Sequence, residues 1–257
     1  MLTAIDHLVI VVPDLEAATR DYRSLGFTVV PGGRHPGVGT YNALFAFTDK
    51  SYIELIAFYE ARDDHRWWAP LQRGGGLVDF CLQTDDLAGD ARVLRRAGIN
   101  IGDPESRNRT RPDGAEVRWT FALARGTHRG VAPFIIADVT GRDVRVPAER
   151  SHTNGVTGVG TVTVAVHEVA MVRDWYERAL GRAGQNIRRP DVGGAGVRFT
   201  LGPHTFDFVA PVGTRGSLAD WLFERGPSPY AATLKRGGGP AMLLDPGKTH
   251  GARLSVE

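Results

Sequence analysis

A histidine and a glutamate, each inside an apolar strand, are the residues of this sequence best suited to chemistry. His7 lies in residues 5–12, IDHLVIVV, and Glu54 lies in a strand expected near residues 51–57, SYIELIA. A buried carboxylate is costly unless it is hydrogen-bonded, paired or bound to a metal, and a histidine is a suitable partner. If the two strands are neighbours in one sheet, the imidazole and the carboxylate should converge on one concave surface.

A glycine-rich stretch between these strands, residues 32–42, contains His35 and Asn42. Polar residues are normal in such a turn, so the composition alone leaves both open to a structural or a functional reading. The stretch lacks the Lys-Ser/Thr ending of a phosphate-binding loop, which disfavours nucleotide binding.

Further along the chain, Asp79 lies in the apolar strand LVDFCL, where it could pair with a neighbouring arginine. Arg107, Arg109 and Arg111 precede the tight turn expected at residues 113–114. Such a run is most often solvated. One of these guanidinium groups could instead hold a substrate carboxylate or phosphate through two parallel hydrogen bonds.

The composition is that of a soluble globular protein, with 42% hydrophobic and 23% charged residues among 257. A formal net charge of +2 without a long basic block argues against a nucleic-acid partner. The single cysteine, Cys81, cannot form an internal disulfide and is expected in the core. Because no apolar run reaches roughly 20 residues and no basic leader is seen, we expect a cytoplasmic protein without a membrane partner.

The elements that would position these residues begin with a strand-helix-strand-strand-strand unit in residues 1–57. Its helix starts after the N-cap residue Asp14, carries apolar residues at spacings of three and four, and ends at Gly26. The strands are expected near residues 5–12, 27–31, 41–47 and 51–57. Residues 60–76, which contain two tryptophans, are expected to be a linker.

The same pattern recurs along the chain. The helix residues Leu15, Ala18 and Tyr22 have counterparts 154 positions later in Val169, Val172 and Tyr176, which is good evidence for an internal repeat. We therefore predict two domains, separated by a polar joint at residues 141–155. The first covers residues 1–140, with units 1–57 and 76–140. The second covers residues 156–257, with units 156–211 and a shortened 217–257.

Repeated units of this kind, with a histidine on the first strand and a glutamate on the fourth, resemble the vicinal oxygen chelate superfamily of glyoxalases, bleomycin-resistance proteins and dioxygenases. The N-terminal part is similar to its glyoxalase-like subfamily. The motifs that carry the resemblance are IDHL at 5–8, GGRHPGVGTYN at 32–42, YIEL at 52–55, and residues 107–119. The resemblance implies an α+β fold in which paired βαβββ units form cupped mixed sheets around a metal or ligand.

The resemblance also implies site residues. Metal ligands would be His7, Glu54 and Asp79, while the fourth ligand position falls on an apolar residue near 134 or 136. His35 could supply that missing ligand. Residues assigned to catalysis are Glu54, His35 and Asp79, and those assigned to substrate binding are His35, Asn42, Arg107 and Trp119.

In the C-terminal half the corresponding ligand positions fall on Thr161, Asp207, Ala231 and Ser255. Only Asp207 has a side chain suited to a cation there. The chemistry is therefore expected in residues 1–140.

One imidazole with one or two carboxylates suits a divalent ion such as Mn, Fe, Co, Ni, Mg or Zn. Such an ion polarises neighbouring substrate oxygens and stabilises an enediolate while a side chain moves the proton. The first hypothesis is a glyoxalase-like, metal-assisted lyase or isomerase acting on a small oxygenated metabolite. One alternative is a metal-free protein that binds and sequesters a ligand. Another is a non-haem iron dioxygenase, which would want two histidines and one carboxylate. The expected partner is a small molecule, and a homodimer is left open.

Overall fold

The structure is a computed structural model that describes residues 1–126 and 131–257. Its strands form two sheets and its short helices connect them, so the expected mixed α+β class is confirmed. Across the described residues, each helix is too short or too polar to cross a lipid bilayer.

The first sheet closes into an eight-stranded barrel with the order β1-β4-β3-β2-β6-β7-β8-β5. Its strands are β1 (Ala4–Val11), β2 (Val30–His35), β3 (Thr40–Ala46), β4 (Tyr52–Phe58), β5 (Gly76–Gln83), β6 (Glu105–Thr110), β7 (Glu116–Leu123) and β8 (Phe134–Asp138). Strand β1 pairs in parallel with β4 and antiparallel with β5. The pairing of β2 with β6 joins the two repeat units on the other side of the barrel.

The helices that accompany the barrel in the described residues are α1 (Leu15–Ser24), α2 (Trp68–Gln72), α3 (Leu87–Arg96) and α4 (Arg142–Arg145). Helix α1 begins as expected, because the side chain of Asp14 accepts hydrogen bonds from the first-turn amides of residues 16 and 17. Its predicted apolar stripe is confirmed by the burial of Leu15, Ala18 and Tyr22. That stripe packs the helix onto the barrel.

The second half forms an open seven-stranded sheet with the order β10-β11-β12-β9-β13-β15-β14. Its elements are β9 (Val156–Ala165), α5 (Val169–Leu180), β10 (Gln185–Arg189), β11 (Gly194–Leu201), β12 (His204–Pro211), α6 (Ser217–Arg225), β13 (Ser228–Arg236), β14 (Met242–Leu243) and β15 (Leu254–Val256). The strand-helix-three-strand repeat is therefore present. The rings of Phe80 in β5 and Phe206 in β12 lie 5.4 Å apart, so both sheets contribute to one core. The division into two domains stays a prediction.

The glycine-rich stretch differs from the expectation. Strand β2 covers Val30–His35 rather than residues 27–31, so that His35 lies in a strand and not in a turn. The reason is a pairing shift between Pro31 and Gly33. Gly33 has a φ of 139°, which lets the strand bulge and continue.

Two further segments expected to be irregular are structured. Residues 105–110, part of the expected solvated charge run, form β6, in which Arg107 and Arg109 alternate with outward residues and face the barrel cavity. The polar joint contains α4, whose arginines reach back to the barrel. Both segments add charged residues to the neighbourhood of the cavity.

Candidate functional site

A cavity of about 420 Å³ lies inside the barrel. This size is typical of small-molecule sites. Of the seven residues expected in the site, six line the cavity: His7, His35, Asn42, Glu54, Arg107 and Trp119. Asp79 is the exception.

The pairing of β1 with β4 brings His7 and Glu54 together. His7 lies opposite Tyr52 in the parallel register, and Glu54, two residues further along β4, faces the same side. His7 Nε2 lies 3.5 Å from Glu54 Oε2. The His7 ring also stacks on the Tyr52 ring, with the centroids 4.6 Å apart. The expected convergence of imidazole and carboxylate is therefore present, while their role as ligands stays a prediction.

Asp6 fixes the hydrogen-bonding state of His7. Strict alternation would turn adjacent side chains to opposite faces, but β1 pairs Ile5 and His7 with consecutive residues of β5 and leaves Asp6 as a bulge. Asp6 Oδ1 consequently lies 2.7 Å from His7 Nδ1. An ionised carboxylate can only accept, so Nδ1 carries the proton and Nε2 is the nitrogen beside Glu54.

Asp6 is itself held by two arginines that follow the barrel in the chain. Arg145 Nη1 and Nη2 donate to the two Asp6 oxygens at 2.9 and 2.7 Å, and Nη1 also donates to the Tyr52 hydroxyl at 2.8 Å. Arg142 also pairs with Asp6. Burial alone would raise the pKa of Asp6, but the two arginines and the hydrogen bond from the imidazole hold it well below its usual range. Asp6 therefore stays ionised at neutral pH.

His35 approaches Glu54 from the other side. Asn42 Nδ2 donates to Glu54 Oε1 at 2.5 Å and lies 3.5 Å from His35 Nε2. Because the amide nitrogen is a donor, Nε2 must accept, and His35 Nδ1 donates to Thr40 Oγ1 at 2.9 Å. Burial lowers the pKa of His35 to about 4, so the imidazole is neutral at pH 7. His35 Nε2 lies 3.9 Å from Glu54 Oε1.

The buried, neutral state of His35 predicts an acid-sensitive contribution to stability. The unfolded chain takes up a proton near pH 6.5 that the folded chain takes up only near pH 4, so acid favours unfolding. Between pH 7 and pH 5, the free energy of unfolding should fall by about 2 kcal/mol because of this group. Denaturant unfolding at both pH values measures this change. In His35→Gln the fall in unfolding free energy should be smaller than in the wild type by this amount. The exposed His167→Gln should match the wild type, and equal losses in all three proteins would contradict the prediction.

Asp79 is not brought to His7 and Glu54. Its carboxylate accepts hydrogen bonds from Arg66 and, at 2.8 Å, from Trp67 Nε1. The structure thus matches the simpler reading, in which this acid pairs with a neighbouring arginine. Its expected role as a ligand or base stays a prediction that these contacts do not favour.

Two more expected residues line the cavity at its wall. The Trp119 ring meets the His35 ring edge-on, with the centroids 6.0 Å apart. Arg107 pairs with Glu105 at 2.9 Å and lies over the Phe121 ring. Arg107 is therefore a partly exposed and already paired cation, and its contact with substrate stays a prediction.

Two groups of metal-ligating side chains in the described residues are candidates for a cation site. The first consists of Asp6, His7 and Cys81, whose ligand atoms lie within 4.8 Å of one another. Asp6 already accepts from two arginines, and burial raises the pKa of the Cys81 thiol well above its usual range. A thiolate ligand is therefore disfavoured there.

The second set is His7, His35 and Glu54. Both imidazoles have Nδ1 held by an oxygen and Nε2 near the carboxylate. Metal-binding histidines typically have this arrangement, because the bond at one nitrogen orients the lone pair of the other. Unlike those of the first set, the ligand atoms of His7, His35 and Glu54 do not all lie within 4.8 Å of one another. The residue types and the orientation of the two imidazoles suit a divalent cation.

In the C-terminal half, the carboxylate of Asp207 is fully buried and bonded to Arg189 and Arg198 at 2.7–2.8 Å. Both oxygens are thus occupied by guanidinium groups. The described contacts make Asp207 part of a structural ion-pair cluster.

The sequence interpretation missed Asp6 and Arg145 and did not single out Arg109 among its neighbours. Asp6 carried the same signal as Glu54, an acid inside an apolar strand, but alternation placed it on the wrong face. Arg145 lay in a segment expected to be a joint. No local pattern distinguishes Arg109, since its burial depends on β6 closing the barrel.

Comparisons with known proteins identify one family. The glyoxalase-like domain family matches residues 5–180 of the 257. No curated protein matches the chain.

Solved structures show a similar fold at low identity. A hypothetical protein from Staphylococcus aureus is 14% identical with a TM-score of 0.73, covering 98% of each chain. A mutant of 4-hydroxymandelate synthase from Streptomyces coelicolor is 17% identical with a TM-score of 0.61, covering 91% of this chain and 71% of that one. A xylose isomerase-like TIM barrel/4-hydroxyphenylpyruvate dioxygenase fusion protein is 12% identical with a TM-score of 0.54, covering 91% of this chain and 37% of that one.

Proposed function

Because the chain belongs to the glyoxalase-like domain family of the vicinal oxygen chelate superfamily, we propose that it is a metal-dependent lyase or isomerase of small oxygenated metabolites. His7, His35 and Glu54 would hold the divalent cation. The observation that carries the proposal is the orientation of two imidazoles, each with Nδ1 held by an oxygen and Nε2 near one carboxylate.

The cation, when bound, would polarise oxygens of the substrate and lower the barrier to loss of a neighbouring proton. His35 would serve as a ligand rather than as the base, because Nδ1 is held by Thr40 and its free nitrogen, Nε2, would be occupied by the cation. Glu54 would take the proton through the oxygen that does not hold the cation. Its Oε1 is oriented by the amide of Asn42 while Oε2 lies beside His7.

The geometry also supports a second candidate, a non-haem iron dioxygenase. Two histidines and one carboxylate are the ligand set typical of such enzymes. The sequence offered only one strand histidine, but the extension of β2 adds His35 to the same cavity. Selective retention of Fe(II) together with substrate-dependent oxygen uptake would favour this candidate over a lyase or isomerase.

Metal analysis tests the proposal directly. The purified protein would be stripped with a chelator, dialysed against Mn, Fe, Co, Ni, Mg or Zn in turn, and analysed for metal per chain. We expect about one equivalent of at least one ion, and loss of that ion in Glu54→Gln. Cys81→Ala should retain it.

Two outcomes would contradict this assignment. If no ion is retained after any supplementation, the metal-free sequestration function takes precedence. If Cys81→Ala loses the ion while Glu54→Gln keeps it, the cation belongs to the cluster of Asp6, His7 and Cys81. Circular dichroism of each variant checks that the fold is intact.

A further inference from the structure

One cation in the cavity wall, Arg109, forms no ion pair with an acidic side chain of the described residues. Five arginines line the cavity: Arg62, Arg66, Arg107, Arg109 and Arg145. Within the described part of the chain, all except Arg109 form an ion pair with an aspartate or glutamate. Arg109 instead donates from Nη2 to a backbone carbonyl at 2.7 Å.

Arg109 is also deeply buried, with 4% of its surface exposed. Its Nη1 has no hydrogen-bond partner among the described residues, and the same holds for Oδ1 of Asn42. Arg109 Nη1 and Asn42 Oδ1 lie 2.7 and 2.0 Å, respectively, from the position that a Cβ atom on Gly32 would occupy. An unpaired donor and an unpaired acceptor thus lie close together against Gly32, on two residues that line the cavity.

The charge of Arg109 is uncompensated in a way that a ligand could correct. Burial lowers the pKa of Arg109, and Glu54 works against this effect, but a guanidinium stays protonated at neutral pH. A buried charge without a partner is costly. If Glu54 is committed to a cation, as the proposed function requires, Arg109 loses the carboxylate that partly balances it.

We propose that Arg109 binds the carboxylate of the substrate, which makes the substrate class a small organic acid. A guanidinium binds a carboxylate through charge-assisted hydrogen bonds. The same cavity presents the apolar side chains of Phe121, Phe134 and Ile136, which fit an aromatic or branched apolar part of the acid. The inference rests on the proposed function for the role of the cavity.

The test uses pairs of probes of the same shape, in which a neutral amide replaces the charged carboxylate. Acetate, 3-methylbutanoate, phenylacetate and 3-phenylpropanoate would each be compared with the corresponding primary amide by isothermal titration calorimetry. In the wild type, at least one acid should bind about tenfold more tightly than its amide. This preference should disappear in Arg109→Gln and persist in part in Arg109→Lys.

Arg111→Gln is the matched control, because Arg111 follows closely in the chain but pairs with Asp113 and lies outside the cavity lining. It should keep the full preference for the acid. The inference is overturned if no acid of the series binds more tightly than its amide, or if Arg109→Gln keeps the preference.

Titrations in both chelator-treated and metal-loaded protein separate this inference from the proposed function. A preference for the acid in a protein that retains no ion after any supplementation supports the role of Arg109 and contradicts the metal-dependent function. Stoichiometric metal without any preference for the acid does the reverse. Circular dichroism confirms that each variant is folded before its titration is interpreted.

Discussion

Arg145→Met is expected to destabilise the protein by about 3–5 kcal/mol, because it leaves the buried Asp6 carboxylate with Arg142 as its remaining cationic partner among the described residues. Asp6 is fully buried and Arg145 is 3% exposed. Their side chains form two hydrogen bonds at 2.7–2.9 Å. Arg145 also pairs with Asp138 and donates to Tyr52, so several groups lose a partner at once.

Denaturant unfolding at pH 7 measures this change. The matched control is Arg178→Met, since Arg178 and Asp174 form an exposed ion pair on α5. Exposed pairs contribute about 0–1 kcal/mol. If Arg145→Met and Arg178→Met lower the free energy of unfolding by the same small amount, the pair of Asp6 and Arg145 does not stabilise the barrel as the contacts imply.

A second variant and the pH dependence identify the mechanism. Asp6→Asn combined with Arg145→Met should recover part of the loss, because the uncompensated carboxylate is gone. In the wild type the lowered pKa of Asp6 adds stability above about pH 4 that is lost as the pH falls through the folded value. Without Arg145 the pKa of Asp6 rises. The difference in unfolding free energy between the wild type and Arg145→Met should therefore become smaller as the pH is lowered toward 4 and below.

Periodicity in the sequence predicted the elements and one face of the site. The apolar stripe of α1 and its recurrence in α5 follow from helix geometry alone, and both are confirmed. The alternation of side chains in β4 correctly placed Tyr52 and Glu54 on one face. These features depend on local spacing, which a sequence displays directly.

Features that depend on pairing between distant segments could not be predicted. Arg109 faces the cavity because β6 pairs with β2 and β7 and closes the barrel, and no local signal in residues 105–110 reports that closure. The bulge at Asp6 is a matter of register between β1 and β5. A shift of one residue turns a side chain to the other face. Simple alternation along β1 therefore does not predict that Asp6 contacts His7.

The position of Asp79 shows a different limit. A match to a ligand position of a family predicts which face of the sheet a side chain occupies. It does not predict which neighbouring groups form hydrogen bonds with that side chain. Arg66 and Trp67, from a segment expected to be a linker, hold the Asp79 carboxylate. The competing partners come from the least regular part of the chain, where sequence patterns are least informative.

His7→Ala is expected to weaken divalent-metal binding by at least about 100-fold, since removing an outer partner of a ligand already costs about 10–100-fold. The reason is that His7 Nε2 is one of the two nitrogens near Glu54 and is oriented by Asp6. Competition with a fluorescent chelator at pH 7 would measure the dissociation constant.

Asp6→Asn separates orientation from ligation in the same assay. Asparagine can still accept a hydrogen bond from His7 Nδ1 through its Oδ1, but it removes the negative charge that strengthens this bond. We therefore expect an intermediate loss of affinity, about 10–100-fold, with the same stoichiometry as the wild type. Arg178→Met, which changes a residue outside the cavity lining, should leave the affinity unchanged. If His7→Ala binds metal as tightly as the wild type, His7 is not a ligand. If only Asp6→Asn keeps wild-type affinity, the buried carboxylate serves the stability of the barrel rather than the imidazole.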